Sequence, residues 1–178
     1  MTLIRSFALP PALFASAAFA QTAPPPSITG HALAQVTAPL QIRCSVLQFS
    51  SLVPKHVATY VTLPANGGPM VDPAHIALPG SSQSAHSSTC TASGDVGSAY
   101  HVMLPSSATL TNGGGQSMTL NMFTVSSDGY SDPFNRFLRN NGIGLGTDSF
   151  GVGARLNIRA DQAPGLYSGT YVVTVQYN

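Results

Sequence analysis

Apolar and polar side chains alternate along residues 164–178, the last part of the chain. A period of two is typical of a β-strand that has one face against a core and the other face in water. Gly169 lies on the apolar face, where the lack of a side chain lets another backbone come close. The pattern predicts a terminal strand whose apolar face is formed by Tyr167, Gly169, Tyr171, Val173, Val175 and Tyr177.

A second alternating stretch covers residues 28–42. Its apolar face is formed by Ile28, Gly30, Ala32, Ala34, Val36, Ala38, Leu40 and Ile42. The stretch is much longer than an ordinary strand of about 5 to 6 residues, and Pro39 cannot donate a hydrogen bond in the middle of a sheet. Two interpretations remain open. Either a loose N-terminal extension precedes a first strand that starts at Leu40, or the whole stretch is one bent edge strand.

Short strand-like segments separated by turn signals fill the rest of the chain. They lie at residues 45–49, 57–63, 76–78, 88–93, 100–104, 118–125 and 152–158. Helices are disfavoured because glutamate is absent and lysine nearly so, whereas glycine, proline, serine and threonine are abundant. With the terminal strands, this spacing predicts an all-β protein, an antiparallel β-sandwich of roughly seven to eight strands.

The N-terminus has the features of a secretory signal peptide. Arg5 precedes an apolar segment that ends in Ala18-Phe19-Ala20, a small-x-small cleavage site. We therefore expect a signal peptide at residues 1–20, an N-terminal extension at 21–38 and a β-sandwich domain at 39–178. No other apolar run approaches the ~20 residues needed to cross a bilayer, so we expect an exported protein without a membrane span.

The exported chain carries almost no net charge. Without Arg5, its seven basic residues become six, which equals the number of acidic residues. A neutral, charge-poor surface offers little electrostatic attraction to nucleic acid, and we expect no nucleic-acid partner.

Two cysteines, Cys44 and Cys90, remain in the exported chain, and one disulfide is the simplest interpretation. The loop-entropy model gives a bridge of this span a contribution of roughly 4 kcal/mol. The alternative is a reactive thiol or a metal pair. It is disfavoured because neither cysteine lies in a Cys-x-x-Cys motif and an oxidising compartment favours pairing.

The sequence marks no catalytic arrangement. Ser149 is not in a Gly-x-Ser-x-Gly elbow, and the glycines at 113–115 are followed by glutamine instead of the Gly-Lys-Ser of a phosphate-binding loop. The five histidines are scattered without metal-ligand spacing. We therefore expect no enzyme activity, no cofactor and no metal.

Aromatic and arginine residues cluster within residues 130–139. This candidate recognition loop contains Tyr130, Phe134, Arg136, Phe137 and Arg139. Such side chains dominate binding hot spots because they bury a large area at low entropy cost. The competing interpretation, which we favour, is a loop that caps the open end of the sandwich with Phe134 and Phe137 buried beneath it.

Several segments together resemble a known family. The chain has a glycine at Gly165, alternating apolar residues after it and a penultimate tyrosine, Tyr177, and upstream it has the segments 100–105, 118–123 and 152–156. In this order and near this spacing they resemble a family of small secreted bacterial β-proteins. That family is pilin-like, is largely of unassigned function, and is related to spore-coat protein U and to chaperone–usher pilins. The chain departs from the family pattern at residues 127–146 and at Phe49-Ser50, where phenylalanine-glycine is usual.

The resemblance implies an immunoglobulin-like (pilin-like) fold and a structural role. In pilins the sandwich lacks its final strand, and a periplasmic chaperone fills the resulting groove before the N-terminal extension of the next subunit replaces it. Here the assembly strand would be Ile28, Gly30, Ala32, Ala34 and Val36, and the groove wall would be Tyr167, Gly169, Tyr171, Val173, Val175 and Tyr177.

We therefore expect a subunit of a surface fibre or fimbria-like assembly. Its partners would be like subunits, a periplasmic chaperone and an outer-membrane usher, and it would reach the cell surface through the periplasm. The alternative is a self-complete secreted β-sandwich that acts as a surface adhesion or binding module. The small side chains of Ala32, Ala34 and Ala38 favour that alternative, because a donor strand is expected to offer larger side chains.

Overall fold

The computed structural model describes residues 33–80 and 84–178. Residues 36–178 form one compact unit. Of the preceding unit, residues 33–35 are described, and they have no regular secondary structure. The signal peptide expected at residues 1–20 and the assembly-strand residues Ile28, Gly30 and Ala32 lie outside the described residues.

The described residues form ten β-strands. They are β1 (Gln41–Cys44), β2 (Thr59–Leu63), β3 (Ser88–Gly94), β4 (Ala99–Met103), β5 (Ser107–Thr111), β6 (Ser117–Val125), β7 (Asn135–Phe137), β8 (Arg139–Asn140), β9 (Gly146–Ile158) and β10 (Thr174–Tyr177). All pairings between these strands are antiparallel. The predicted all-β, antiparallel, sandwich-like fold is confirmed.

Strand β9 organises the larger of the two sheets. Its first half pairs with β3 and β8, and its second half pairs with β2 and β6. Strand β1 extends the sheet beyond β3, and β5 extends it beyond β6. The smaller sheet has the order β10-β4-β7. A bulge in β6 between Asn121 and Thr124 includes Met122 at a φ of 49°.

Two glycines in the middle of β9 allow another segment to cross it. A Cβ atom at Gly151 would overlap the carbonyl of Ala65, and one at Gly153 would overlap the carbonyl of Leu63. Because glycine has no side chain, residues 63–65, where the chain leaves β2, can come into contact with the backbone of β9. The contact lies between the part of β9 that pairs with β3 and the part that pairs with β2.

The two halves of β9 contribute to two hydrophobic clusters. The first cluster contains Tyr100 and Val102 from the smaller sheet and Cys90, Phe150 and Val152 from the larger one, so it is the core between the sheets. The second contains inward side chains of β2, β6 and β9. These side chains are covered by irregular segments that include Leu47, Phe49, Leu52 and Ile76. The core-facing side of the larger sheet is therefore covered by the smaller sheet at one end and by irregular chain at the other.

Several expected strand boundaries were wrong. Residues 45–49 and 76–78 contribute only the isolated bridges Gln48–His86 and Leu52–Ala77, because they cross over the second cluster without a regular partner. Strand β9 begins at Gly146 instead of residue 152. The segment 127–146, treated as loop, contains β7 and β8.

The terminal strand is shorter than expected. The alternation of half-buried and exposed residues holds from Tyr171 to the end of the chain, but regular pairing is limited to β10. Residues 164–173 instead run from the edge of β5, at the bridge between Thr111 and Ser168, to the edge of β4. This segment passes between the two sheets and cannot stay in register with either.

Candidate functional site

An elongated groove with a volume of about 910 Å³ runs between two segments of irregular chain. One wall consists of residues 44–52 and the other of residues 165–171 with Val173. Between them lie core-facing side chains of the larger sheet, namely Leu110, Met118, Leu120 and Leu156. The groove therefore has an apolar floor, which is the end of the core that no second sheet covers, and walls of mixed polarity.

The C-terminal wall is fixed at its start and its end. Ser168 exchanges two backbone hydrogen bonds with Thr111, at 2.8 and 3.0 Å. A Cβ atom at Gly169 would overlap the carbonyl of Thr109, so only glycine lets this wall approach β5 so closely. From residue 174 onward the chain pairs with β4. In between, residues 169–173 make no backbone hydrogen bond with other described residues.

Tyr171 joins this wall to both clusters of the core. Its ring lies 5.3 Å from the ring of Phe123, which packs against both clusters. The Tyr171 hydroxyl is enclosed and has no hydrogen-bond partner among the described residues. The wall that presents unpaired backbone therefore also presents an unpaired hydroxyl group.

The opposite wall begins at the disulfide. Cys44 and Cys90 are directly opposite each other on β1 and β3 and form the predicted bridge, with Cys90 fully buried and Cys44 exposed. Beyond it the wall is held by paired backbone hydrogen bonds between Gln48 and His86. The predicted disulfide is confirmed, and a disulfide is typical of chains that fold in an oxidising compartment.

The structure divides the predicted groove-wall residues into two groups. Tyr167, Gly169, Tyr171 and Val173 line the groove. Val175 and Tyr177 lie in β10 and pack against the first cluster. Of the predicted assembly-strand residues, Ala34 and Val36 are described, and both are exposed and outside regular structure. The opposite wall at residues 44–52 was missed, because its sequence reads as an ordinary short strand.

The predicted recognition loop contains a buried charge network centred on Arg136. The Arg136 side chain is fully buried, and its Nε donates to Asp148 Oδ2 at 2.5 Å. Its Nη1 donates to the carbonyl of Ser126 at 3.0 Å, and its Nη2 donates to the carbonyl of Ser149 at 3.1 Å and to Asp128 Oδ2 at 3.3 Å. Its guanidinium is thus satisfied on all sides.

Aromatic rings and a tyrosine hydroxyl complete this network. The guanidinium of Arg136 lies 4.4 Å from the ring centre of Tyr130 and 5.2 Å from that of Phe150. Tyr100 donates its hydroxyl hydrogen to Asp148 at 2.7 Å. Burial and this hydrogen bond raise the pKa of Tyr100. Burial alone would lower the pKa of Arg136, but the hydrogen bonds and charge of Asp148 raise it, so the guanidinium stays protonated.

Only part of the predicted loop is available at the surface. Phe137 is 52% exposed, which differs from the buried position expected for a cap, and Arg139 is exposed beside the Tyr130 ring at 5.5 Å. Phe134 is half-buried against the first cluster. The segment therefore has a structural centre at Arg136 and an exposed edge at Phe137 and Arg139.

Within residues 33–80 and 84–178, no group of three histidine, cysteine or acidic side chains is placed to hold a metal ion. In the same part of the chain, no helix has the length and apolar character to cross a membrane.

Comparison with known proteins gives a family but no characterised relative. No curated protein matches the chain, and no solved structure matches it. The model of a family described as a domain of unknown function, DUF4402, matches residues 40–177, which include both walls of the groove and the Arg136 network. The chain therefore belongs to the DUF4402 family.

Proposed function

We propose that the protein is a structural subunit of a surface fibre and polymerises by β-strand addition. In this proposal, the N-terminal extension of one copy occupies the groove of another. The observation that carries it is the groove itself, which has an apolar floor beside a wall whose backbone at residues 169–173 makes no hydrogen bond with other described residues. An added strand would supply those hydrogen bonds and cover the apolar floor.

The side-chain sizes on the two sides are complementary. The floor and wall carry large side chains, among them Met118, Leu120 and Tyr171. The extension offers mainly small ones, with Gly30, Ala32 and Ala34 between Ile28 and Val36. A strand with small side chains can approach a floor that is already filled by large ones without overpacking it. The small residues that favoured a self-complete module on sequence alone thus also suit this groove.

The proposed partners follow from the route to the surface. A disulfide-bonded chain with an expected signal peptide would pass through an oxidising compartment before assembly. The apolar floor of the groove would be prone to aggregation there, so a periplasmic chaperone would cover it and an outer-membrane usher would direct the exchange.

The test is the size of the mature protein with and without residues 21–37, measured by light scattering. We expect a series of oligomers from the full mature chain and a monomer from the truncated chain. The matched control lacks only residues 21–27, which removes the proline run but keeps the alternating stretch, and it should still form oligomers. Oligomers that persist without residues 21–37, or a full mature chain that stays monomeric, would contradict the proposal.

A second candidate function is a binding module that does not polymerise. The observation in its favour is the exposed edge at Phe137 and Arg139, since aromatic and arginine side chains are common in binding hot spots. A monomeric mature chain that loses binding to a surface after Phe137→Ser would support this candidate instead.

A further inference from the structure

The face of the larger sheet that points away from the core is polar around the second half of β9. Its side chains form two rows across four strands, as the strand registers show. One row is Tyr60, Asn157, Thr119 and Thr109, and the next is Thr62, Arg155, Asn121 and Ser107. We call this the outer face. It lies on the opposite side of the sheet from the groove floor, because neighbouring residues in each strand alternate between the two sides.

Positive charge on the outer face is not neutralised by carboxylates. Arg155 stacks on the ring of Tyr60 at 4.1 Å, and its Nε is enclosed without an acceptor in the described structure. Arg159, which follows with the same alternation, is exposed, and its side chain has no hydrogen bond or ion pair within the described residues. The nearest acidic residue along the chain, Asp161, is hydrogen-bonded to His56 at 2.6 Å.

A shallow hollow of about 310 Å³ lies beside Arg159 and the ring of Tyr60. Its lining includes Tyr60, Thr119, Asn157 and Arg159. An aromatic ring, a primary amide, a hydroxyl group and a guanidinium are thus within reach of one ligand. The amide nitrogen of Asn157, which lines the hollow, donates to the carbonyl of Thr119 at 3.1 Å, so its side-chain oxygen keeps its capacity as an acceptor.

We propose that the outer face binds an anionic polysaccharide. A sugar ring would pack against Tyr60, its hydroxyl groups would bond with Asn157 and Thr119, and carboxylate or sulfate groups would pair with Arg155 and Arg159. Arg155 and Arg159 are four residues apart, and in an extended chain this separates their Cα atoms by on the order of 13 Å. That spacing suits negative charges repeated along a polysaccharide. Nucleic acid fits less well, because its affinity depends on many phosphate contacts and the chain offers few cations here.

This inference does not depend on polymerisation, since Met118 is the one residue that lines both the hollow and the groove. The experiment is titration calorimetry of the mature protein at low salt with three oligosaccharides. They are an oligogalacturonate that carries carboxylates, a heparin hexasaccharide that carries sulfates, and neutral maltohexaose. We expect heat of binding with at least one of the two anionic sugars and none with maltohexaose. The anionic sugar that binds identifies which acidic group is preferred.

Two variants and one control locate the site. Arg159→Gln and Tyr60→Ala should each weaken binding of the anionic sugar by about tenfold or more. The control, Arg43→Gln, removes an exposed arginine in β1, at the far edge of the larger sheet from the outer face, and should bind like the unchanged protein. Circular dichroism checks that each variant is folded, and Arg159→Gln keeps the test decisive if Tyr60→Ala is unstable. An oligothymidylate is titrated as a fourth ligand, to test nucleic acid. Binding that is absent for both anionic sugars, equal for maltohexaose, equal for the oligothymidylate, or weakened as much by Arg43→Gln as by Arg159→Gln would overturn the proposal.

Discussion

Tyr177 lies directly over Gly94, and its hydroxyl occupies the space that a side chain at position 94 would fill. That hydroxyl accepts a hydrogen bond from the backbone of Asp95 at 2.8 Å and donates one to the carbonyl of Ala38 at 2.9 Å. The penultimate residue therefore connects the end of β10 to the turn after β3 and to the chain just before β1. It closes the end of the first cluster that lies away from the groove.

This relationship predicts that Gly94 and Tyr177 are energetically coupled. Gly94→Ala should lower the free energy of unfolding by about 1–3 kcal/mol, because the added methyl group overpacks the site. In a Tyr177→Phe background the closest overlapping atom is gone, so the same change should cost less, with a coupling of roughly 0.5–3 kcal/mol. Urea unfolding of the two single variants and the double variant measures it. Additive effects would show that the two residues do not share the space.

A second prediction concerns Arg136, whose buried guanidinium neutralises Asp148. Arg136→Leu should lower the free energy of unfolding by about 3–5 kcal/mol, because it leaves a carboxylate that is 9% exposed without its partner. Arg136→Lys should lose less, since it keeps the charge but not the guanidinium fork. The control Arg139→Leu, at an exposed position, should change stability by about 0.5 kcal/mol or less. Equal losses for Arg136→Leu and Arg139→Leu in urea unfolding would refute a structural role for the network.

The same network predicts loss of stability at alkaline pH. Burial and the bond to Asp148 raise the pKa of Tyr100 in the folded protein, whereas the unfolded chain loses the phenolic proton near pH 10. The contribution of neutral Tyr100 is therefore complete below about pH 10 and declines above it, by about 1.4 kcal/mol per pH unit. Tyr100→Phe removes this group. Urea unfolding between about pH 9 and pH 11 should show a smaller decline for the variant, and parallel declines would contradict the prediction.

The sequence predicted which side chains of a strand face the core better than it predicted where each strand finds a partner. Tyr100 and Val102 point inward as their alternation indicates, because the period of two follows from strand geometry alone. The start of β9 was hidden by polar residues, since Asp148 is inward-facing only because it binds Arg136. Burial of that arginine depends on Asp128 and Asp148, which lie 8 and 12 positions away on other strands or turns, and the alternation within one strand does not record it. The terminal stretch likewise alternates from Tyr171 onward but pairs regularly only in β10. The reason is that it runs from the edge of β5 to the edge of β4 and has a strand partner only once it reaches β4.

Two phenylalanines of the predicted loop should respond differently to substitution. Phe134 is half-buried against the first cluster, so Phe134→Ser should lower the free energy of unfolding by about 2 kcal/mol. Phe137 is 52% exposed, so Phe137→Ser should stay within about 0.5 kcal/mol and serves as the matched control. Thermal unfolding of both variants decides the matter. A larger loss at Phe137 would mean that its exposed edge is covered in solution, for instance by a second copy of the chain.

The disulfide should stabilise the fold and also hold the groove wall that follows it. Cys44 and Cys90 are separated by 46 positions, for which loop entropy gives a stabilisation of roughly 4 kcal/mol. The double variant Cys44→Ala, Cys90→Ala should therefore unfold at lower urea concentration. Residues 45–52 have few backbone partners beyond the bridge, so their amide hydrogens should exchange faster in this variant than in the oxidised protein. Strand β2, which pairs with β9 independently of the bridge, is the internal control. If β2 and residues 45–52 lose protection equally, the disulfide stabilises the whole unit and has no separate effect on the groove.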